Sequence, residues 1–118
     1  MDITTSDAYL GDSSLEEYVR GVCTFPVYDR DQETSLFAAA RAGDETAFDA
    51  VVVAHLRFVV DLALERRGWG TSLKRLIEAG NRGLVRAARR FDPDDDRAFL
   101  DYAVWWIRQE MMEVLDFA

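Results

Sequence analysis

The chain has 118 residues, is 49% hydrophobic and carries a formal net charge of −8 at pH 7. This length suits one small domain with its own apolar core, and no apolar run approaches the roughly 20 residues needed to span a bilayer. The single cysteine excludes an internal disulfide and the N-terminal residues lack the pattern of a secretory signal, so the sequence predicts a cytoplasmic protein without a membrane span.

The charge is distributed unevenly along the chain. Residues 1–34 and 91–118 each contain eight acidic residues against two arginines, whereas residues 35–90 contain ten Lys or Arg against six acids. The net charge argues against a generic nucleic-acid binder, but a basic centre between acidic ends leaves a local nucleic-acid contact open.

Apolar residues recur at helical spacing throughout the chain. There is no sustained alternation of period two and no hairpin signal, so we predict an all-α fold, a compact bundle of about four to five helices. Residues 1–12 are predicted to be a flexible acidic tail, and residues 13–118 the helical domain. Asp12 or Ser13 can cap a first helix that runs through Arg20.

Two further helices follow a turn at Phe25-Pro26. The second helix is expected over about residues 29–41, where Gly43 stops it. A long third helix is expected over residues 44–66, because its apolar positions recur at spacings of four and three. This helix is the best supported by its pattern.

The fourth helix is predicted over about residues 72–91 and contains two unusual interior glycines, Gly80 and Gly83. Each costs about 1 kcal/mol against alanine in a helix, so we expect a neighbouring helix to approach closely there. An acidic break at residues 92–96 separates it from a last helix, expected from about residue 96 toward the C-terminus.

The most unusual segment of the chain lies in this last helix. Tyr102, Trp105 and Trp106 are three and four residues apart, so on a helix they share one broad face, while Arg108 and Gln109 turn toward the opposite rim. This aromatic content exceeds what a small core needs, and a face of this kind is suited to stacking bases.

Several short motifs stand in a characteristic order along the chain. They are Leu15 through Pro26, Ala42-Gly43-Asp44, Leu56-Arg57-Phe58-Val59-Val60, Asn81-Arg82-Gly83-Leu84 and Tyr102 through Gln109. Together they resemble region 2 of bacterial sigma-70-type sigma factors with part of the preceding region, over about residues 14–111. The resemblance implies a region 2 module that lacks the later sigma domains.

The resemblance implies that the last helix captures unpaired bases of the promoter minus-ten element, on the non-template strand, with the two tryptophans wedging at the edge of the duplex. Stacking one base on an aromatic ring contributes about 1–3 kcal/mol, comparable to the cost of extruding one base, so melting needs no ATP. The implied DNA-binding residues are Tyr102, Trp105, Trp106, Arg108, Gln109, His55, Arg57, Arg86, Arg89 and Arg90.

Each of these assignments has a plainer alternative in the pattern itself. The arginines of the fourth helix are equally well explained as a solvated face, and His55 as a satisfied core residue on an apolar stripe. The last helix has an alternative in which part of its aromatic content simply faces the core. That core face would consist of Phe99, Tyr102, Trp106 and Ile107.

The resemblance also implies a surface that docks on a coiled coil of the largest subunit of core RNA polymerase. The implied residues are Arg75, Leu76, Ile77, Glu78 and Asn81. The family usually has acids where this chain has Arg75 and Ala79. Acids also replace family residues expected near DNA, at Asp94-Asp95-Asp96, Asp101 and Glu113. A reversed charge at the rim of an interface can cost several kcal/mol, so these departures weigh against both contacts.

No pattern of the chain suggests an enzyme. The one His and the one Cys are far apart, no spacing suggests a zinc site, and the acidic cluster lacks the later residues of a calcium loop, so no catalytic residue, metal or cofactor is expected.

Two functions remain open. The first is a truncated or split sigma subunit that binds core polymerase and promoter DNA, with a second protein carrying the missing domains. The second is a sigma mimic that binds core polymerase or an anti-sigma factor without melting DNA.

Overall fold

A computed structural model describes residues 13–115, and all the regular structure in that range is helical. The helices are α1 (Ser13–Val22), α2 (Arg30–Arg41), α3 (Glu45–Ala54), α4 (Leu56–Glu65), α5 (Leu73–Arg90) and α6 (Phe99–Val114). The predicted all-α class is confirmed. The predicted N-terminal tail, residues 1–12, lies outside the described residues.

Three helices begin where short polar residues cap them. Asp29 forms a capping box with Gln32, in which each side chain accepts from the other residue's backbone N–H. Asp44 and Ser72 accept hydrogen bonds from the backbone of α3 and α5 in the same way. Gly43 has φ +105° after α2, a conformation that L side chains rarely adopt, so α2 ends where the sequence predicts.

The long third helix predicted over residues 44–66 is broken at His55. The backbone of His55 has φ −109° and ψ 1°, and its N–H bonds to Val52 rather than continuing the helical ladder. The side chain bends back as well, since Nδ1 lies 2.7 Å from the carbonyl oxygen of Val51. The break lets α3 pack on α2 while α4 packs on α1 and α5. Counted as one bent helix, α3 and α4 leave five helices, as predicted.

The last helix begins at Phe99 rather than near Asp96. The Asp95 carboxylate accepts the backbone N–H of Arg97 at 2.9 Å and also binds its guanidinium, and the Asp96 carbonyl accepts from Arg30 at 2.5 Å. Asp side chains that bond to nearby backbone compete with helix formation, which explains the delayed start.

Helices α5 and α6 pack at the two interior glycines of α5. A Cβ placed on Gly83 would lie 2.5 Å from the carbonyl oxygen of Trp106 and 2.8 Å from the Cα of Ile107, both backbone atoms of α6. A Cβ on Gly80 would lie 2.6 Å from the side chains of Val59 and Met111. The predicted close approach is therefore confirmed, and it fixes the position of α6 on the domain.

The core is continuous beneath all six helices. Its largest fully buried side chains are Phe37, Phe99, Leu76, Leu84, Ile107, Met111, Val19, Val51, Val59 and Val60. Within residues 13–115, none of the helices combines the length and the apolar character needed to cross a membrane.

Candidate functional site

An aromatic platform, consisting of Tyr102, Trp105 and Trp106, occupies one face of α6. Trp105 is 57% exposed, although a large aromatic ring normally gains by burial. Its ring meets that of Trp106 edge to face, with centroids 5.3 Å apart and planes at 86°. The ring centroid of Tyr102 lies 6.3 Å from that of Trp106, and both of these residues are half-buried. The three predicted aromatic residues are therefore one contiguous surface.

The platform rests directly on the aromatic part of the core. Phe91 contacts Tyr102 at 5.4 Å and Phe99 at 5.3 Å, and Phe99 contacts Phe37 at 4.7 Å. Of the alternative core face, Phe99 and Ile107 are buried, but Tyr102 and Trp106 are only half-buried. Both patterns are thus present on one helix: one side is buried in the core, and the other is half-exposed and contacts the core through Phe91.

Arginine side chains lie over several rings at the edge of the platform. The guanidinium of Arg90 is 5.1 Å from the ring of Trp106, and that of Arg97 is 5.2 Å from the ring of Tyr102. Arg89 covers the ring of Phe48 at 4.4 Å. Each guanidinium gains a cation–π attraction and holds its ring in place. Arg97 was not among the predicted site residues, because it follows an acidic run in the sequence. It lies over Tyr102 because of the conformation of the turn before α6.

Arg86, predicted to contact DNA, is held by the carboxylate of Glu110 on α6. Glu110 is 5% exposed, and it is the one charged side chain classed as buried among the described residues. A buried carboxylate needs a cationic partner, because burying an unpaired charge costs several kcal/mol. Arg86 therefore supports the α5–α6 interface. No sequence pattern indicated this pair, because Glu110 lies just beyond the motif that ends at Gln109.

Three further polar residues predicted to bind DNA are at the surface. Arg108 and Gln109 are exposed on α6, three and four residues after Trp105. Arg57 is exposed on α4, one turn before Asp61. Burial raises the pKa of the Asp61 carboxyl, and the charge of Arg57 opposes that rise.

Both ring nitrogens of His55 face groups of its own domain, but only Nδ1 is within hydrogen-bond distance of an acceptor. Nδ1 lies 2.7 Å from the Val51 carbonyl oxygen and Nε2 lies 3.7 Å from Oε1 of Glu33, while the ring meets Phe99 edge-on at 4.9 Å. Burial raises the pKa of the Glu33 carboxyl, and His55 opposes that rise. This geometry favours the alternative of a satisfied core residue, and contact with a base stays an unsupported prediction.

The predicted polymerase-binding residues divide between surface and core. Arg75 and Glu78 are exposed on α5. Leu76 has no exposed area and Ile77 only 4%, so both side chains pack in the core of the domain, and their part in polymerase binding stays a prediction. Asn81 is half-buried, and its Nδ2 donates to the hydroxyl oxygen of Tyr18 on α1 at 3.1 Å.

Comparison with known proteins identifies the fold family. The family model for sigma-70 region 2 matches residues 51–115, which is more than half of the chain and includes the platform and all of α5. The chain belongs to the sigma-70 region 2 family. It is 40% identical over 103 residues to the RNA polymerase sigma-C factor of Myxococcus xanthus, covering 87% of this chain and 35% of that protein. It is 33% identical over 106 residues to the sigma factor RpoH of Zymomonas mobilis, covering 89% of this chain and 35% of that protein.

The match to the family model confirms the predicted resemblance to sigma-70 region 2. The chain spans about a third of the length of the curated relatives it matches. Sigma factors are not enzymes, in agreement with the prediction of a non-enzymatic protein.

Acidic residues precede and follow the platform along the chain of this sigma region 2 domain. Asp101 and Glu113 are exposed on α6 itself. In the preceding turn, Asp95 is neutralised by Arg97, and Asp92 lies 3.2 Å from Arg41 of α2. The turn acids are therefore partly paired within the domain, whereas Asp101 and Glu113 have no ion pair among the described residues.

Proposed function

We propose that this chain is a transcription-initiation module that binds core RNA polymerase and captures unpaired bases of the promoter minus-ten element on its aromatic platform. The observation that carries the proposal is the exposure of Trp105, whose ring packs edge to face on Trp106. Family membership supports it, because region 2 is the part of a sigma factor that the chain matches.

The platform has the physical properties that base capture requires. An exposed indole gains little from the fold, and a base stacked on it contributes about 1–3 kcal/mol. Trp106 and Tyr102 are held by neighbouring rings and by Arg90 and Arg97, so little side-chain freedom is lost when a base arrives. A base that stacks on the face of Tyr102 covered by Arg97 must displace that guanidinium.

The polymerase contact is proposed at the exposed side of α5, through Arg75, Glu78 and Asn81. Glu78 and Asn81 are three residues apart and so lie on one face of the helix. The partner is the coiled coil of the largest subunit, as the resemblance implies. We further propose that the module works in the cytoplasm with a second protein that carries the later sigma domains.

A second candidate function is favoured by a specific set of charges. Asp101 and Glu113 are exposed on the platform helix, and Arg75 stands exposed where the family usually has an acid. Acids beside a DNA surface repel phosphates, so these residues favour a sigma mimic that occupies core polymerase, or an anti-sigma factor, without melting DNA.

The deciding experiment compares Trp105→Ala with Leu100→Ala in the presence of core polymerase. Both residues are exposed apolar side chains of α6, but Leu100 is not part of the platform. Binding to a single-stranded, A/T-rich minus-ten oligonucleotide is measured by fluorescence anisotropy. Trp105→Ala should weaken binding by about 1–3 kcal/mol per stacked base, whereas Leu100→Ala should bind like the parent chain. Neither change should alter association with the polymerase.

Trp106→Ala adds a contrasting case. Trp106 is half-buried between Tyr102, Trp105 and Arg90, so its loss should lower domain stability as well as oligonucleotide binding. Two results would contradict base capture: Trp105→Ala binding the oligonucleotide as well as the parent does, or no binding by the parent even with core polymerase present. Either result would favour the sigma mimic as the function of this chain.

A further inference from the structure

His55 and Glu33 face each other inside the domain, where α2 packs against the break between α3 and α4. Nε2 of His55 lies 3.7 Å from Oε1 of Glu33, and only 16% and 14% of the two side chains is exposed. Oε1 has no hydrogen-bond partner among the described residues. A buried carboxylate oxygen without a donor is costly, because its lost hydration is not compensated.

The other ring nitrogen determines where His55 carries its hydrogen. Nδ1 lies 2.7 Å from the carbonyl oxygen of Val51, and a carbonyl oxygen can only accept, so Nδ1 carries a hydrogen and donates it. In a neutral imidazole the second nitrogen is then a bare acceptor. A neutral His55 and an ionised Glu33 would therefore place two acceptors opposite each other, with no donor between them.

One additional proton removes this conflict. It can reside on Nε2, which gives an imidazolium beside a carboxylate, or on Oε1, which then donates toward Nε2. Among the described residues, the other charge that acts on Glu33 is that of Arg30 on α2, which favours the ionised carboxyl. From α3 the ring meets the Val51 carbonyl and from α6 the ring of Phe99, and neither of these groups titrates.

We propose that Glu33 and His55 hold one proton between them, and that this shared proton locks α2 to the break between α3 and α4. Its release at high pH leaves two acceptors facing each other in a buried site, which loosens the contact. Phe99, the first residue of α6, meets the His55 ring edge-on at 4.9 Å and packs on Phe37 of α2 at 4.7 Å. The loosening therefore reaches the start of the platform helix, and the pair is a pH-sensitive switch built into the fold.

Nitrogen NMR of the imidazole tests the proposal, because His55 is the only histidine of the chain. In the full chain, Nδ1 should carry its hydrogen at every pH at which the domain is folded, whereas the Nε2 signal should change as the shared proton leaves. Glu33→Gln cannot hold that proton, so the last change of the Nε2 signal should move to lower pH by about one unit or more. Asp31→Asn is the matched control, because it removes one negative charge from an exposed position of the same helix, and it should leave that pH nearly unchanged.

A second measurement tests the link to α6. Hydrogen exchange of the amides in its first turn should be faster in the parent than in Glu33→Gln once the shared proton has left, and similar in the two chains at lower pH. Equal rates at both pH values overturn the switch.

Two NMR results overturn the shared proton itself. The first is a neutral imidazole whose hydrogen is on Nε2, because the pair then needs no additional proton. This result is read from the parent chain and holds even if a variant fails to fold. The second is an equal effect of Glu33→Gln and Asp31→Asn, which would show a general effect of charge. Neither measurement uses polymerase or DNA, so the outcome does not depend on the proposed function.

Discussion

The crossing of α5 over α6 gives a quantitative test of the fold, because Gly83 is in contact with backbone. In Gly83→Ala, the new methyl group would lie 2.5 Å from the carbonyl oxygen of Trp106 and 2.8 Å from the Cα of Ile107. Neither atom can move away by changing a rotamer. The two helices must separate instead, which loosens the contacts that hold α6 and its platform on the domain.

Two opposing effects determine the size of the change. Alanine is favoured over glycine by up to about 1 kcal/mol inside a helix. Overpacking a tight contact costs about 1–3 kcal/mol, and the upper part of that range applies where the clash is with backbone. The free energy of unfolding of Gly83→Ala should therefore fall by about 1–2 kcal/mol, and that of Gly83→Leu by at least as much.

Urea unfolding followed by helical circular dichroism measures this difference. Gly21→Ala is the matched control, because Gly21 is also helical and a Cβ added there meets nothing within 4 Å. The control should be unchanged or slightly more stable. If the denaturation midpoint of Gly83→Ala rises, as helix propensity alone would require, then the close packing of α5 on α6 is refuted.

Two further predictions concern charged groups. Arg75→Asp should strengthen association with core polymerase, because it restores the acid that the family usually has at this exposed position of α5. Glu78→Arg should weaken association, because it removes an exposed acid from the same helix. A titration in which Arg75→Asp binds less tightly would place the contact elsewhere. For Glu33, burial raises the folded-state pKa above 4.5, so the parent chain loses stability as pH rises from there through the folded pKa. Glu33→Gln does not ionise, and its unfolding free energy relative to the parent should increase over that pH range; a constant difference in urea unfolding across the series would contradict this.

Helix ends and turns could be predicted, because they depend on residues that are close together along the chain. The caps at Asp29, Asp44 and Ser72 need only the residues that follow them, and the turn at Gly43 needs only its own backbone. The glycines of α5 were informative for a related reason: a residue that is costly in a helix indicates that something else requires it.

Features that depend on distant residues could not be predicted. The break at His55 arises where the ring meets Glu33 and Phe99, which come from two other helices. The pairing of Arg86 with Glu110 depends on how α5 crosses α6. A spacing pattern describes each helix separately, so it showed which residues share a face of α6 but not that the rings of α6 meet Phe91 and Phe37.

The contacts that several arginines make within the domain affect how the module can bind DNA. Arg90 and Arg97 lie over platform rings and Arg86 neutralises Glu110, so these cations stabilise the domain as well as contributing to its surface charge. With a net charge of −8, the chain repels a duplex at long range, yet its platform gains free energy from each unpaired base. A second surface that holds the chain on polymerase resolves this conflict, because tethering raises the local concentration of DNA at the platform without any added charge. Base capture and docking on α5 are therefore coupled in our proposal, and a change that weakens docking should reduce oligonucleotide binding even when the platform is intact.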